Sequence, residues 1–128
     1  MSAKSQTPPR VVLVVEDDVD LRRMFRAALS LEGFIVEEAG DGLQALHLIE
    51  QSRPDIVVLD LGLPTVGGLA VQQEIAASAL TKDIPVVIVT GSTADLSQVP
   101  VFCVLRKPVT PEELVATVRR CIQSGAPS

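Results

Sequence analysis

Apolar residues fall into short unbroken runs separated by polar stretches with helical spacing, and this alternation predicts the fold. Residues 11–15 (VVLVV), 56–59 (IVVL), 86–89 (VVIV) and 101–105 (VFCVL) carry no charged side chain. Runs of this length, rich in β-branched residues, read as strands buried on both faces. After the first run, Leu21, Met24, Phe25, Ala28, Leu29 and Leu31 recur at helical spacing, with Asp20 available as a cap and Gly33 as a stop. Residues 34–36 form a short second strand. Asp41-Gly42 then makes a turn and a cap for a helix with Leu43, Leu46 and Ile49 on one face, closed by Pro54. The third strand covers 55–60, Gly67-Gly68 opens a helix running to Ala79, and Pro85 precedes the fourth strand over 86–89. Residues 101–105 make the fifth strand. In the last helix Thr110 caps, Pro111 fits the first turn and Glu113 completes a capping box. Its buried stripe is Leu114, Val115, Val118, Cys121 and Ile122. Strand followed by helix, repeated, predicts an α/β domain with helices on both faces of a parallel sheet.

The residues that end the apolar runs carry the candidate chemistry. Glu16 and Asp17 follow the first run, Asp60 ends the third strand, Thr90 ends the fourth, and Lys107 lies just past the fifth. In an open parallel sheet the carboxyl ends of the strands share one edge, where ligands bind. Residues scattered from Glu16 to Lys107 therefore meet in one pocket. Two carboxylates about 4 Å apart repel by roughly 4 kcal/mol at an effective dielectric near 20, so three acids there need a cation or protons. Lys107 supplies one positive charge. A divalent ion would supply the rest, and hard oxygen ligands favour Mg²⁺ or Mn²⁺ over zinc. Cys103 and Cys121 have no histidine or cysteine neighbour at zinc-site spacing.

Composition narrows the function classes. A chain of 128 residues is expected to be one domain, and 47% hydrophobic with 21% charged residues is the balance of a globular, soluble protein. No apolar run is long enough to span a bilayer, and no membrane role is expected. Residues 1–10 lack the apolar stretch of a signal peptide, so two cysteines are expected as reduced thiols of a cytoplasmic protein, packed as core hydrophobes. A net charge of −5 argues against direct nucleic-acid binding, which needs a basic footprint. Residues 1–9 read as a disordered N-terminal tail, 10–123 as the domain, and 124–128 as a C-terminal tail or linker stub.

Taken in order, Val-Val-Glu16-Asp17-Asp18, then Ile-Val-Val-Leu-Asp60-Leu-Gly-Leu-Pro64 with Gly68 downstream, then Val-Thr90-Gly, then Arg-Lys107-Pro108, closely resemble the receiver domain of two-component response regulators. The likeness runs from about Arg10 to Gln123. Each motif alone is weak, and the four in order are specific. The resemblance implies a flavodoxin-like, doubly wound five-stranded sheet of order 2-1-3-4-5. It also implies that Asp60 accepts a phosphoryl group from a histidine kinase or histidine phosphotransfer protein. By the same similarity Asp17 and Asp60 ligate Mg²⁺ directly, the Gly62 carbonyl adds a third ligand, and Glu16 acts mainly through bound water. Lys107 and the ion neutralise the transferring phosphoryl oxygens, and Thr90 hydrogen-bonds one of them. A shift of Thr90 would then switch a surface for an unknown downstream protein, with a phosphorylation-dependent dimer among the outcomes. In this family the Lys-Pro bond is usually cis, which would aim the lysine into the pocket.

Three departures from the family pattern stand out. The stretch from Thr90 to Lys107 is shorter than usual by more than one helical turn, so the fourth helix of the usual pattern is expected to be short or irregular over 93–100, which puts the usual dimerisation mode in doubt. The position of the aromatic that commonly moves with the threonine is Val104, leaving Phe102 as the candidate substitute. Gly62 and Ser92 are both small at positions that influence acyl-phosphate lifetime, which implies a short-lived phosphoryl state. Asp18 reads as a solvated loop acid and His47 as an exposed helix residue. Two other classes compete: a pseudo-receiver acting purely as a binding module, and a metal-dependent phosphatase with an aspartate nucleophile. The phosphatase usually needs a second acid two residues after the nucleophile, where this chain has Gly62.

Overall fold

The computed structural model describes residues 8–64, 66–91 and 103–124. Its five strands are β1 (Val11–Val15), β2 (Ile35–Ala39), β3 (Ile56–Asp60), β4 (Val86–Thr90) and β5 (Cys103–Arg106). All pair in parallel, in the order β2-β1-β3-β4-β5. Four helices are described: α1 (Val19–Leu31), α2 (Gly42–Ser52), α3 (Gly68–Ala77) and α4 (Pro111–Ser124). This is the doubly wound order expected from the motifs. The chain leaves β1 outward to β2 and returns past it to β3, so the two connections diverge beside β1 and open a crevice at the carboxyl edge.

Strand periodicity divides the core in two. Val12, Val14, Val58, Val87 and Val89 face α1 and α4, meeting Phe25, Leu29, Leu114 and Val118. Leu13, Val15, Val57, Leu59 and Ile88 face α2 and α3, meeting Ala45, Ile49, Val71 and Ile75. Successive side chains of a strand point to opposite faces, so β3 and β4, covered on both sides, are buried throughout. The edge strand β5 alternates instead: Cys103 and Leu105 are buried, Val104 and Arg106 exposed.

Helix ends follow side-chain chemistry. The Thr110 hydroxyl accepts from the Glu113 N–H at 3.1 Å and the Thr110 N–H donates to Glu113 Oε1 at 2.9 Å, which is the expected capping box. Asp41 accepts from the Gln44 N–H at 2.8 Å, as expected. Gly33, just past α1, has φ +94°, a conformation that favours glycine at a helix end.

Several expectations need correction. The cap of α1 is Asp18, which accepts from the Leu21 N–H at 3.1 Å, while Asp20 lies in the first turn. Leu43 is exposed, and the inward face of α2 is Ala45 and Ile49, with Gly42 also buried. Strand β2 runs on through Glu37, Glu38 and Ala39 because its acids are paired: Ser52 donates to Glu37 and Arg22 to Glu38. The cysteines, expected as separate reduced thiols, are joined in a Cys103–Cys121 disulfide. Both belong to the core layer between the sheet and α4, where a Cα separation of 6.2 Å suits the bond. The bond removes the thiol argument for a cytoplasmic location. Among the described residues no helix is long and apolar enough to cross a membrane. The stretch 93–100, Ser92, Phe102, residues 1–7 of the expected N-terminal tail and residues 125–128 lie outside the described residues.

Candidate functional site

Strand register brings the candidate residues to one edge. Asp60 ends β3 beside Val89, and Thr90 ends β4 beside Arg106, one residue before Lys107. Glu16 extends β1 by one step, its N–H donating to the Ala39 carbonyl at 3.0 Å. Glu16, Asp17, Asp60, Gly62, Thr90 and Lys107 all line one open cleft of about 640 Å³, joined by Asp18, Leu61, Leu69 and Gly91. The Lys107–Pro108 peptide is cis, as the resemblance implied.

Asp60 is only 4% exposed. One of its oxygens, Oδ1, accepts the Gly62 N–H at 2.9 Å, and the other lies 3.5 Å from Lys107 Nζ. The chain turns sharply after it, and α3 starts against this turn. A Cβ on Gly68 would lie 2.6 Å from Leu61 Cα and collide with the Asp60 carbonyl, so glycine is required by close approach.

Glu16 is 1% exposed. Its Oε2 accepts from the Asp18 N–H at 3.1 Å, whereas Oε1 forms an ion pair with Lys107 Nζ at 3.3 Å but has no hydrogen-bond partner. Burial pushes the Glu16 carboxyl up to about 7, against the Asp18 N–H which lowers it; the Asp60 charge raises it further and Lys107 opposes that. Burial by itself would lower Lys107. The Asp60 and Glu16 carboxylates more than offset this and hold the ammonium above its ordinary value. Lys107 therefore stays charged and ties both acids together.

Asp17 is exposed, and its carboxylate oxygen lies with those of Glu16 and Asp60 so that all three fall within 4.8 Å of one another. A buried carboxylate oxygen without a hydrogen-bond donor, beside two further hard oxygen ligands, fits a small divalent cation such as Mg²⁺ or Mn²⁺. Thr90 is 3% exposed, and its carbonyl accepts the Lys107 N–H at 2.8 Å, linking the fourth strand to the lysine. Phe102, the candidate switch aromatic, lies outside the described residues. His47 lies away from this cleft, exposed on α2, where it lines a groove between α2 and α3 together with Glu50 and Glu74.

Two supporting residues escape sequence reasoning. Asp18, read as a loop acid, serves twice: its amide holds Glu16 and its side chain caps α1. An Asp three residues before Leu21 at the head of a periodic segment could have signalled the cap. Arg22 donates from Nη1 to the Glu16 carbonyl at 2.7 Å. Nothing in its sequence context distinguishes it from a surface arginine.

The sequence profile described as the response regulator receiver domain matches residues 12–119. Among curated relatives, Response regulator MprA of Mycobacterium sp. (strain KMS) is 36% identical over 124 residues, covering 93% of this chain and 53% of the relative. The probable transcriptional regulator ycf27 of Guillardia theta is 34% identical over 117 residues, covering 88% of this chain and 45% of the relative. The chain thus spans about half the length of these relatives. Among solved structures, chemotaxis response regulator CheY4 of Vibrio cholerae superposes with a TM-score of 0.82 at 28% identity, covering 89% of this chain and 99% of that one. A sensor protein from Polaromonas sp. JS666 gives 0.86 at 26% identity, covering 93% and 100%. With the profile matching most of its length, the chain belongs to the receiver domain family of two-component response regulators.

Proposed function

We propose that this chain is a phosphoacceptor receiver, taking a phosphoryl group onto Asp60 from a phosphohistidine of a histidine kinase or histidine phosphotransfer protein. The observation that carries the reading is Asp60 itself: a nearly buried carboxylate, 3.5 Å from a charged lysine, at the edge where two further acids converge. In the transfer, an Asp60 oxygen attacks phosphorus and the phosphorus–nitrogen bond of the donor breaks. The imidazole departs with the bonding pair and takes up a proton. Lys107 sits where its ammonium offsets charge on the transferring oxygens, and the Gly62 N–H orients the Asp60 carboxylate. Asp17 and Asp60, assisted by Glu16 and the Gly62 carbonyl, would hold Mg²⁺, which supplies further positive charge to the phosphoryl oxygens. Thr90 lines the cleft; in this reading its hydroxyl hydrogen-bonds the phosphoryl product, and its movement would couple occupancy to the segment that follows β4. A cytoplasmic location, an unknown downstream protein and a short-lived acyl phosphate belong to the same reading.

The test is intact-mass measurement after incubation with acetyl phosphate and Mg²⁺, repeated with a histidine kinase as donor. The wild-type chain is expected to gain one phosphoryl mass and Asp60→Asn to gain none. A wild-type protein that stays unmodified with every donor would overturn the proposal in favour of a binding module.

A further inference from the structure

Asp17 is the exposed member of the acidic trio, and its carboxylate accepts no hydrogen bond from the described residues. With no partner on the side chain, what the fold fixes of Asp17 is the place from which its carboxylate reaches out, the backbone that carries it. That backbone is held at several points. The Glu16 N–H is fixed by the Ala39 carbonyl, and the Asp18 N–H is fixed by Glu16 Oε2. The peptide joining Glu16 to Asp17 is held by a side chain from another element: Arg22, in the second turn of α1, donates from Nη1 to the Glu16 carbonyl at 2.7 Å.

A peptide group is planar, so fixing its oxygen also fixes the direction in which the next Cα leaves. The arginine is itself restrained. Its Nε donates to Glu38 Oε1 at 3.2 Å, and the second oxygen of Glu38 is 3.3 Å from Arg26 Nη1. The Arg22 side chain is only 21% exposed, and the guanidinium fork spans from β2 to the end of β1 as a rigid plane. Gly40 leaves room for it: a Cβ there would stand 3.3 Å from Arg22 Nη1.

We propose that Arg22 is a positioning residue for cation binding, locking the Glu16–Asp17 peptide so that the Asp17 carboxylate is presented to the cleft beside Asp60. The assignment rests on the phosphoacceptor reading above and adds to it a residue outside the cleft. It makes a prediction opposite in sign to simple electrostatics. Removing a positive charge near a cation site should tighten cation binding by Coulomb's law alone. Loss of a residue that orients a ligand weakens it, by about tenfold or more where such outer supports have been removed from metal sites.

The experiment is an Mg²⁺ titration of the phosphate-free protein followed by amide NMR shifts of Asp17 and Asp18, with thermal unfolding measured separately. Arg22→Met is expected to raise the Mg²⁺ dissociation constant about tenfold. Arg22→Lys keeps a donor but cannot hold the carbonyl and Glu38 together, so it is expected to fall between the two. If Arg22→Met does not fold, Arg22→Lys decides. A dissociation constant at or below the wild-type value in the deciding variant, whatever its melting temperature, overturns the assignment. Failure of the wild-type protein to bind Mg²⁺ would overturn the phosphoacceptor reading, and this assignment with it.

Discussion

Glu16 concentrates the electrostatic tension of the molecule. Its carboxyl rises from an ordinary 4.5 to about 7 because the side chain is buried beside Asp60, and Lys107 compensates only in part. The folded chain therefore binds this proton more tightly than the unfolded chain does, and stability from this group is lost as pH rises from about 4.5 through about 7. The magnesium-free protein is expected to be less stable at pH 8 than at pH 5, with an upper bound of roughly 3 kcal/mol from Glu16. Urea denaturation at the two pH values checks this. Glu16→Gln, which cannot ionise, should flatten that part of the pH dependence, and an unchanged slope would contradict the assignment. Lys107, held above its ordinary value, remains charged across the whole interval and does not confuse the sign. At this scale the acids, Thr90 and Lys107 were legible because each ends an apolar run. The roles of Asp18 and Arg22 were not, since both depend on backbone groups whose positions only the folded chain defines.

Among the elements, the junction between β3 and α3 is the tightest constraint near the site. Gly68→Ala places a methyl against the Asp60 carbonyl and Leu61 Cα, which are backbone atoms that cannot swing aside. Overpacking of this kind costs about 1–3 kcal/mol, and the shift would also displace Asp60. Chemical denaturation together with the acetyl-phosphate mass assay is expected to show lower stability and slower modification. A stable, fully active Gly68→Ala protein would contradict the close-approach argument. The disulfide makes a second prediction, because it clamps β5 to α4 across a sequence separation of 18. Closing a loop of that size accounts for about 3 kcal/mol in the chain-entropy picture. A thiol reductant should lower the urea midpoint of the wild-type chain and leave a Cys103→Ala/Cys121→Ala double variant unmoved. Helix starts were readable where capping chemistry is local, as at Asp41 and Thr110. The sequence pattern ends β2 too early because Glu37 and Glu38 break the apolar run, and their partners on α2 and α1 are distant in sequence. The disulfide is not legible in the sequence for the same reason: two cysteines on different elements give no spacing signal until β5 and α4 are packed.

For the molecule as a whole, the alternation of buried runs and amphipathic helices was enough to predict a parallel sheet with helices on both faces. The order β2-β1-β3-β4-β5 came from motif resemblance, and hydrophobic pattern alone would have left it open. The convergence of the site follows from that order, since β3 comes to lie beside β1 only when the chain, having gone out to β2, crosses back past β1. The described candidates Glu16, Asp17, Asp60, Gly62, Thr90 and Lys107 then lie at one rim. The opposite rim carries the Gly33 bend and the Arg53 turn, whose φ of +47° ends α2. Neither bend lines the cleft, so both are natural splice points for a reporter module: cargo grafted there would ride a full strand length away from Asp60 and Lys107.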